Sequence, residues 1–230
     1  AFNEIFYLSH KNNKIHIDDL GFLIGPILNA GGRLGKSSYA TELLSSDNLQ
    51  IIKKRSNELI NLNNKRKEIE AITLAEIDFQ KIEKENKDVI IYYNSNINEG
   101  LIGIIASRLK DYFNKPSIVI TVSNKILKGS ARSIYNYNIG RVIKNLLDRN
   151  IILGGGGHNM AAGFTLCKDN LKTFENYILK DFLDSYASNN NTFIYEGEIS
   201  SLAFNVNFHE NIKKLEPFGA GNPAPIFLLK

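Results

Sequence analysis

Tryptophan is absent from this sequence, methionine and cysteine occur once each, and histidine occurs four times in 230 residues. A single cysteine, Cys167, excludes an internal disulfide framework and a thiolate zinc cluster; it reads as a packed strand residue. No apolar run approaches the ~20 residues that a membrane-spanning helix requires. No signal peptide opens the chain, so a cytoplasmic setting is expected. His16, Asp18 and Asp19 stand close together, but adjacent carboxylates at a helix start usually serve as caps. No further cluster completes a metal shell around them. The sole methionine is Met160 and the chain opens on Ala1, which reads as a piece of a longer product. Residues 224–230 read as a strand cut partway.

What is present describes a globular protein of one or two domains, with 43% hydrophobic and 23% charged residues. The net charge of +4 is a poor guide to partners, because the abundance of Asn, Ile and Lys inflates surface lysine. Distribution says more. From Arg108 to Arg149 nine Lys or Arg face two acids, Asp111 and Asp148, a local excess of +7.

Residues 1–24 show only weak periodicity and resist assignment. Ala30 to Ser37 has the spacing of a phosphate loop, but that motif needs a strand before it, and Gly25-Pro26 interrupts any strand there. A helix is expected over 37–44. From about 47 to 84 a helical pattern places Ile52, Leu59, Leu62, Ile69 and Ile72 on one stripe with no Gly or Pro inside. This predicts a single strut of ~50 Å; a coiled-coil dimer would need more heptads. A compact α/β unit follows. Strands are expected over 88–94, 117–122 and 126–133, the last two joined as a hairpin through Ser123-Asn124-Lys125. Helices are expected over 100–113 and 138–149, then a strand over 162–167 and a closing helix over 169–186. Asn189-Asn190-Asn191 reads as a linker before strand-like residues 193–199 and a turn-rich segment over 215–225.

Two stretches carry chemistry. Gly154-Gly155-Gly156-Gly157-His158 can take positive φ and converge its N–H groups into an anion-sized concavity, or it can be a flexible tight turn. Strand alternation puts Lys128, Ser130 and Arg132 on one face, with Gly129 and Ala131 keeping the other thin. That face suits a polyanion; it also suits a solvated edge strand protected by its charges. Running beside the glycines, it would form a groove that holds backbone phosphates and has little means of reading bases.

Five stretches taken in order resemble the motifs of the RecJ single-strand exonucleases of the DHH phosphoesterase superfamily. They are Gly25-Pro-Ile-Leu-Asn-Ala-Gly-Gly-Arg-Leu-Gly35, Gly100-Leu-Ile-Gly-Ile-Ile-Ala-Ser-Arg-Leu109, Lys128-Gly-Ser-Ala-Arg-Ser133, Gly155-Gly-Gly-His-Asn-Met-Ala-Ala-Gly163 and Leu215-Glu-Pro-Phe-Gly-Ala-Gly-Asn-Pro223. The resemblance implies an α/β architecture. The tail of a DHH domain would occupy 1–46, a long connecting helix 47–84, a mixed-sheet DHH-associated substrate domain 85–187, and the start of an OB-like β domain 188–230. It implies a metal-dependent 5′–3′ exonuclease acting on single-stranded DNA in repair and recombination. The Mn²⁺ or Mg²⁺ ligands would lie before Ala1, so no cofactor and no cleavage are expected of these residues alone. Ser130, Arg132 and Ser133 fall on the substrate strand, Gly155, Gly156, Gly157 and His158 on the glycine–histidine segment, and Asn29 and Arg33 on a segment facing the cleft. Implied partners are single-stranded DNA and a single-strand-binding protein or helicase; a monomer off the membrane is expected. Ile97-Asn98 replaces a Trp-His common in relatives, and Lys36 replaces an acidic or polar residue. Alternatives are an oligoribonuclease, a cyclic-dinucleotide phosphodiesterase, and a non-catalytic interaction module.

Overall fold

The computed structural model describes residues 1–11, 15–186, 194–219 and 221–230. In chain order the elements are α1 Phe2–Leu8, α2 Ile17–Asp19 running into a π-helical turn Leu20–Ile24, α3 Gly25–Arg33, α4 Ser38–Ser45, α5 Leu49–Ala75 and α6 Phe79–Glu85. Next come β1 Ile90–Tyr93, α7 Ile102–Phe113, β2 Ser117–Ser123, β3 Ile126–Arg132 and α8 Ile139–Asp148. The chain continues with β4 Gly154–His158, β5 Ala161–Leu166, α9 Leu171–Tyr186, β6 Gly197–Ile199, α10 Val206–Lys213 and β7 Phe227–Leu229. Two compact units result, one of Ala1–Asn12 with Gly25–Asn189, the other of Asn13–Ile24 with Asn190–Lys230. No described helix is long and apolar enough to cross a membrane.

The larger unit is built on a mixed five-stranded sheet ordered β1-β2-β3-β5-β4, parallel only between β1 and β2. The β2–β3 hairpin turns through Asn124 and Lys125, both at positive φ (49° and 67°), the geometry whose twist matches the flanking strands. Ser117 to Thr121 are buried throughout, as expected for a central strand covered on both sides. One face carries Leu127, Ala131, Phe164 and Leu166 against α8 and α9, whose Val142, Ile143, Leu146, Phe174, Ile178 and Phe182 recur at helical spacing. The other face buries Ile90 and Val119 beneath Ile102, Ile105, Ala106 and Leu109 of α7.

Several expectations are corrected. The strut over 47–84 is two helices, because Asp78 caps a fresh start by accepting from the Lys81 N–H at 2.9 Å. The expected apolar stripe of α5 is not its buried face: Leu59 is buried, but Ile72 is 61% exposed. The buried line runs through Ser56, Leu59, Asn63, Arg66, Glu70 and Thr73, where charges satisfy one another. Residues 25–33 are helical, so no strand delivers residues 30–37 as a phosphate loop. Cys167 is exposed and lies beyond β5. The glycine run is neither a turn nor a positive-φ concavity. It is the outermost strand, and positive φ among the described glycines is confined to Gly35 and Gly221.

In the smaller unit β6 pairs in parallel with β7, with α10 between them in sequence. Strand structure there begins at Gly197; the expected Asn189-Asn190-Asn191 linker lies outside the described residues.

Candidate nucleic-acid interface

Register decides which side chains share a face. Directly opposed residues in an antiparallel ladder point the same way. The pairs Arg132↔Ala161 and Ala161↔His158 therefore put Arg132 and His158 in one row on one side of the sheet, about 10 Å apart at two strand spacings. The next rows are Ser130–Gly163–Gly156 and Lys128–Thr165–Gly154. A floor of Gly, Ala and Thr is thus bordered along β3 by Lys128, Ser130 and Arg132, and ends at His158.

The floor glycines are not demanded by packing. At Gly156 no other heavy atom lies within 4 Å of where an alanine Cβ would sit, and at Gly163 the nearest is 3.9 Å away. Glycine in a strand loses entropy and offers no side chain, and commonly marks a place where another backbone comes close. Gly129 and Gly157 are different. A Cβ at Gly129 would meet the Phe164 ring at 2.0 Å, and one at Gly157 the Ala161 carbonyl oxygen at 2.3 Å. The run therefore mixes residues required by the fold with residues left bare on its surface.

The wall of the trough is α7 and the segment leading into it. Gly103 of α7 leaves the Arg132 guanidinium room to cross, since a Cβ there would stand 2.8 Å from its Nη2 and 3.1 Å from Ser130 Oγ. Arg132 Nη1 donates to Ser130 Oγ at 3.0 Å and to the Ala131 carbonyl at 2.8 Å. None of the ion pairs among the described residues includes Arg132. Burial, and then the charge of Arg33, push its guanidinium below the usual range while leaving it protonated at neutral pH. Arg33 stands at the end of α3 and donates from Nη1 to the Gly100 carbonyl at 3.3 Å. Burial and then Arg66 push Arg33 down, and Glu70 pulls it back up. Two half-buried guanidiniums, the charge of Arg33 felt by Arg132 and no ion pair on Arg132 among the described residues, make a place that an anion would stabilise.

The remaining candidates sort themselves by position. Lys128 Nζ pairs with Glu99 at 2.7 Å, an arrangement with both groups substantially exposed that a stronger anion can displace. The same contact, first as a hydrogen bond, lowers the Glu99 carboxyl. His158 is exposed, its Nδ1 accepting weakly from the Met160 N–H at 3.4 Å. Asn29 is exposed one helical turn before Arg33, on the same face of α3. Gly155 and Gly157 alternate to the opposite side of β4 from the floor. Ser133 does not join the interface: it is 1% exposed and its hydroxyl donates to the Tyr137 carbonyl at 2.6 Å. Strand alternation already assigns it to the other side from Arg132.

Sequence reasoning missed Gly103 and Gly100, whose only signal was two glycines at the start of a helix. It also missed the Arg66–Glu70–Arg108 network, signalled by an acid and a base four apart in α5. Among the described residues no group of three or more His, Cys, Asp or Glu comes together, so they do not fit a divalent-cation site.

Comparison with known proteins shows what the chain is similar to. The DHHA1 domain matches residues 86–183. The single-stranded-DNA-specific exonuclease RecJ of Haemophilus influenzae is 36% identical over 220 residues, covering 91% of this chain and 38% of that protein. Its Escherichia coli counterpart is 33% identical over 229 residues, covering 93% and 39%. The chain thus spans less than two-fifths of the length of these curated relatives. The fold matches Thermus thermophilus RecJ solved with Mn²⁺ at a TM-score of 0.79 and 23% identity, over 98% of this chain and 34% of that one. The corresponding structure with Mg²⁺ gives 0.77 at 22% identity, over 97% and 35%.

Proposed function

We propose, from the premise that this chain is a homologue of the RecJ exonucleases and carries a DHHA1 domain, that it supplies the strand-holding groove of a 5′–3′ exonuclease specific for single-stranded DNA. The observation that carries the proposal is Arg132, in none of the ion pairs among the described residues, in one row with His158 over a floor of bare glycine backbone. A sugar–phosphate chain lies along the floor. Arg132 and Arg33 take phosphate oxygens through planar forks, Ser130 adds a hydroxyl, Lys128 exchanges Glu99 for phosphate, and His158 and Asn29 offer further donors. Bases are not read, because Gly, Ala and Thr present no edge-specific donor pattern to them. Hydrolysis with Mn²⁺ or Mg²⁺ belongs to the intact protein, and no step of it is assigned to these residues. The proposal further takes 1–46, 47–84 and 85–187 as DHH tail, connector and substrate domain, and 188–230 as the opening of an OB-like domain. It also takes the protein as a cytoplasmic monomer that meets a single-strand-binding protein or helicase.

Fluorescence anisotropy with a labelled oligothymidylate tests it. Binding is expected, with log K falling against log salt by roughly 0.7 per phosphate neutralised. No binding, or equal preference for blunt duplex, overturns the reading; tighter capture of a ribo-oligonucleotide or a cyclic dinucleotide moves it to the alternative substrates. Incubation of these 230 residues with Mn²⁺ and the same oligonucleotide is expected to leave it uncut, and metal-dependent cleavage would relocate the chemistry into this chain.

Gly103→Ala offers a finer check. The atoms nearest the added methyl are the end of the Arg132 side chain and Ser130 Oγ, so the fold is expected to persist while the guanidinium swings aside. Oligonucleotide affinity should fall several-fold with an unchanged melting temperature; undiminished affinity would separate Arg132 from the contact.

A further inference from the structure

Glu70 lies in the last two turns of α5, on the face where charges rather than an apolar stripe are buried, with its side chain only 8% exposed. Its Oε2 accepts from Arg66 Nη1 at 2.6 Å and its Oε1 from Arg108 Nε at 2.7 Å. Arg66 is held in turn, donating from Nε to Asn63 Oδ1 at 3.2 Å. Arg66 is a turn earlier on the same helix, whereas Arg108 comes from α7, so the carboxylate ties α7 to α5. Burying a carboxylate and a guanidinium costs more solvation than the pair regains, and apolar side chains of equal size would join the two helices at least as well. Stability alone does not account for charges at this seam.

The other tenants of α7 supply the reason. Gly103 makes the seat that the Arg132 guanidinium crosses. Gly100, just ahead of the helix, accepts from Arg33, and its Cα lies so close to that residue that a Cβ would be 2.2 Å from the Arg33 carbonyl oxygen. Wherever α7 sits along α5, both seats sit with it. We infer that Glu70 is a positioning residue for the phosphate grip: by fastening Arg108 it fixes α7 on α5, and so fixes Arg33 and Arg132 at the separation at which they share one phosphodiester backbone. This rests on the polynucleotide reading given above. The negative charge of Glu70 also acts on Arg33 directly, opposing burial and Arg66.

The test removes the two buried charges together, leaving only Arg108, which is 56% exposed, without its partner. The double variant Arg66→Met/Glu70→Met is expected to melt cooperatively near the parent and to bind the labelled oligothymidylate about tenfold more weakly. Adding Arg132→Ala to it should cost little beyond Arg132→Ala alone, because both changes dismantle the same grip. Should the double variant fail to fold, Arg108→Met serves instead; it leaves the Arg66–Glu70 pair whole, removes a side chain that is 56% exposed, and is expected to show the same non-additive loss. Parental affinity in a folded variant, or a loss that adds fully to that of Arg132→Ala, overturns the inference. If Arg132→Ala itself binds like the parent, the polynucleotide reading has failed; if Arg132→Ala is weakened and Arg66→Met/Glu70→Met is not, only the role of Glu70 has.

Discussion

Arg132→Ala is expected to weaken single-stranded oligonucleotide binding by roughly ten- to a hundredfold, the equivalent of about 1.5–3 kcal/mol for a hydrogen bond to a charged group. Its salt slope should flatten by about 0.7, one phosphate contact fewer. The fold should hardly notice. The hydrogen bonds of Arg132 run to its own strand, to Ser130 Oγ and the Ala131 carbonyl, and after burial it is the like charge of Arg33 that lowers its guanidinium. Removing it relieves a buried repulsion, so the melting temperature should stay level or rise slightly. Weaker binding with a parental slope would mean that Arg132 shapes the trough without touching phosphate. A large drop in melting temperature would mean that it is structural.

Gly157→Ala and Gly156→Ala should part company although they are neighbours in sequence. At 157 the new methyl would stand 2.3 Å from the Ala161 carbonyl oxygen and 2.5 Å from Ala162 Cα. These are backbone atoms, so the β4–β5 ladder itself must shift. Overpacking of this kind costs about 1–3 kcal/mol, a fall in melting temperature of roughly 2–12 °C for a chain of this size. At 156 the methyl meets open space, and the melting temperature should stay within about 2 °C of the parent. Gly156→Leu, whose Cβ would likewise stand in open space, raises the floor where a sugar–phosphate chain would lie and should cut oligonucleotide affinity about tenfold or more. Calorimetry and anisotropy on the three variants decide the matter. Unimpaired binding by Gly156→Leu would show that the floor is not the path of the strand.

Much of the α/β unit is legible in the sequence because its signals are local. The β-branched run at 117–122, the Asn124-Lys125 turn and the helical pattern over 138–149 each act within a few residues, and the structure has all three. The alternation of Lys128, Ser130 and Arg132 against Leu127, Gly129 and Ala131 also holds, since the strand period is a property of the backbone. The failures have one character. Periodicity puts Ile72 in the core and Arg66 on the surface because it ranks residues by polarity, and the structure reverses both. It cannot see that Glu70 accepts from Arg66 and from a guanidinium 38 residues away. The glycine run misleads for a related reason. Four glycines permit positive φ but do not require it, and pairing with β5 selects the extended form.

The sequence by itself determined the kinds of element, the sidedness of β3, the local surplus of positive charge and the resemblance carried by five ordered motifs, because these follow from backbone period, caps and residue chemistry along the chain. Only the tertiary structure decided that the glycines are an edge strand, that Arg132 and His158 share a row across β5, that the charge of Arg33 reaches Arg132, and that Glu70 is buried between two arginines. Strand order and burial arise from contacts between distant residues, and whether a charge or a glycine serves the fold or the surface depends on what those contacts place beside it.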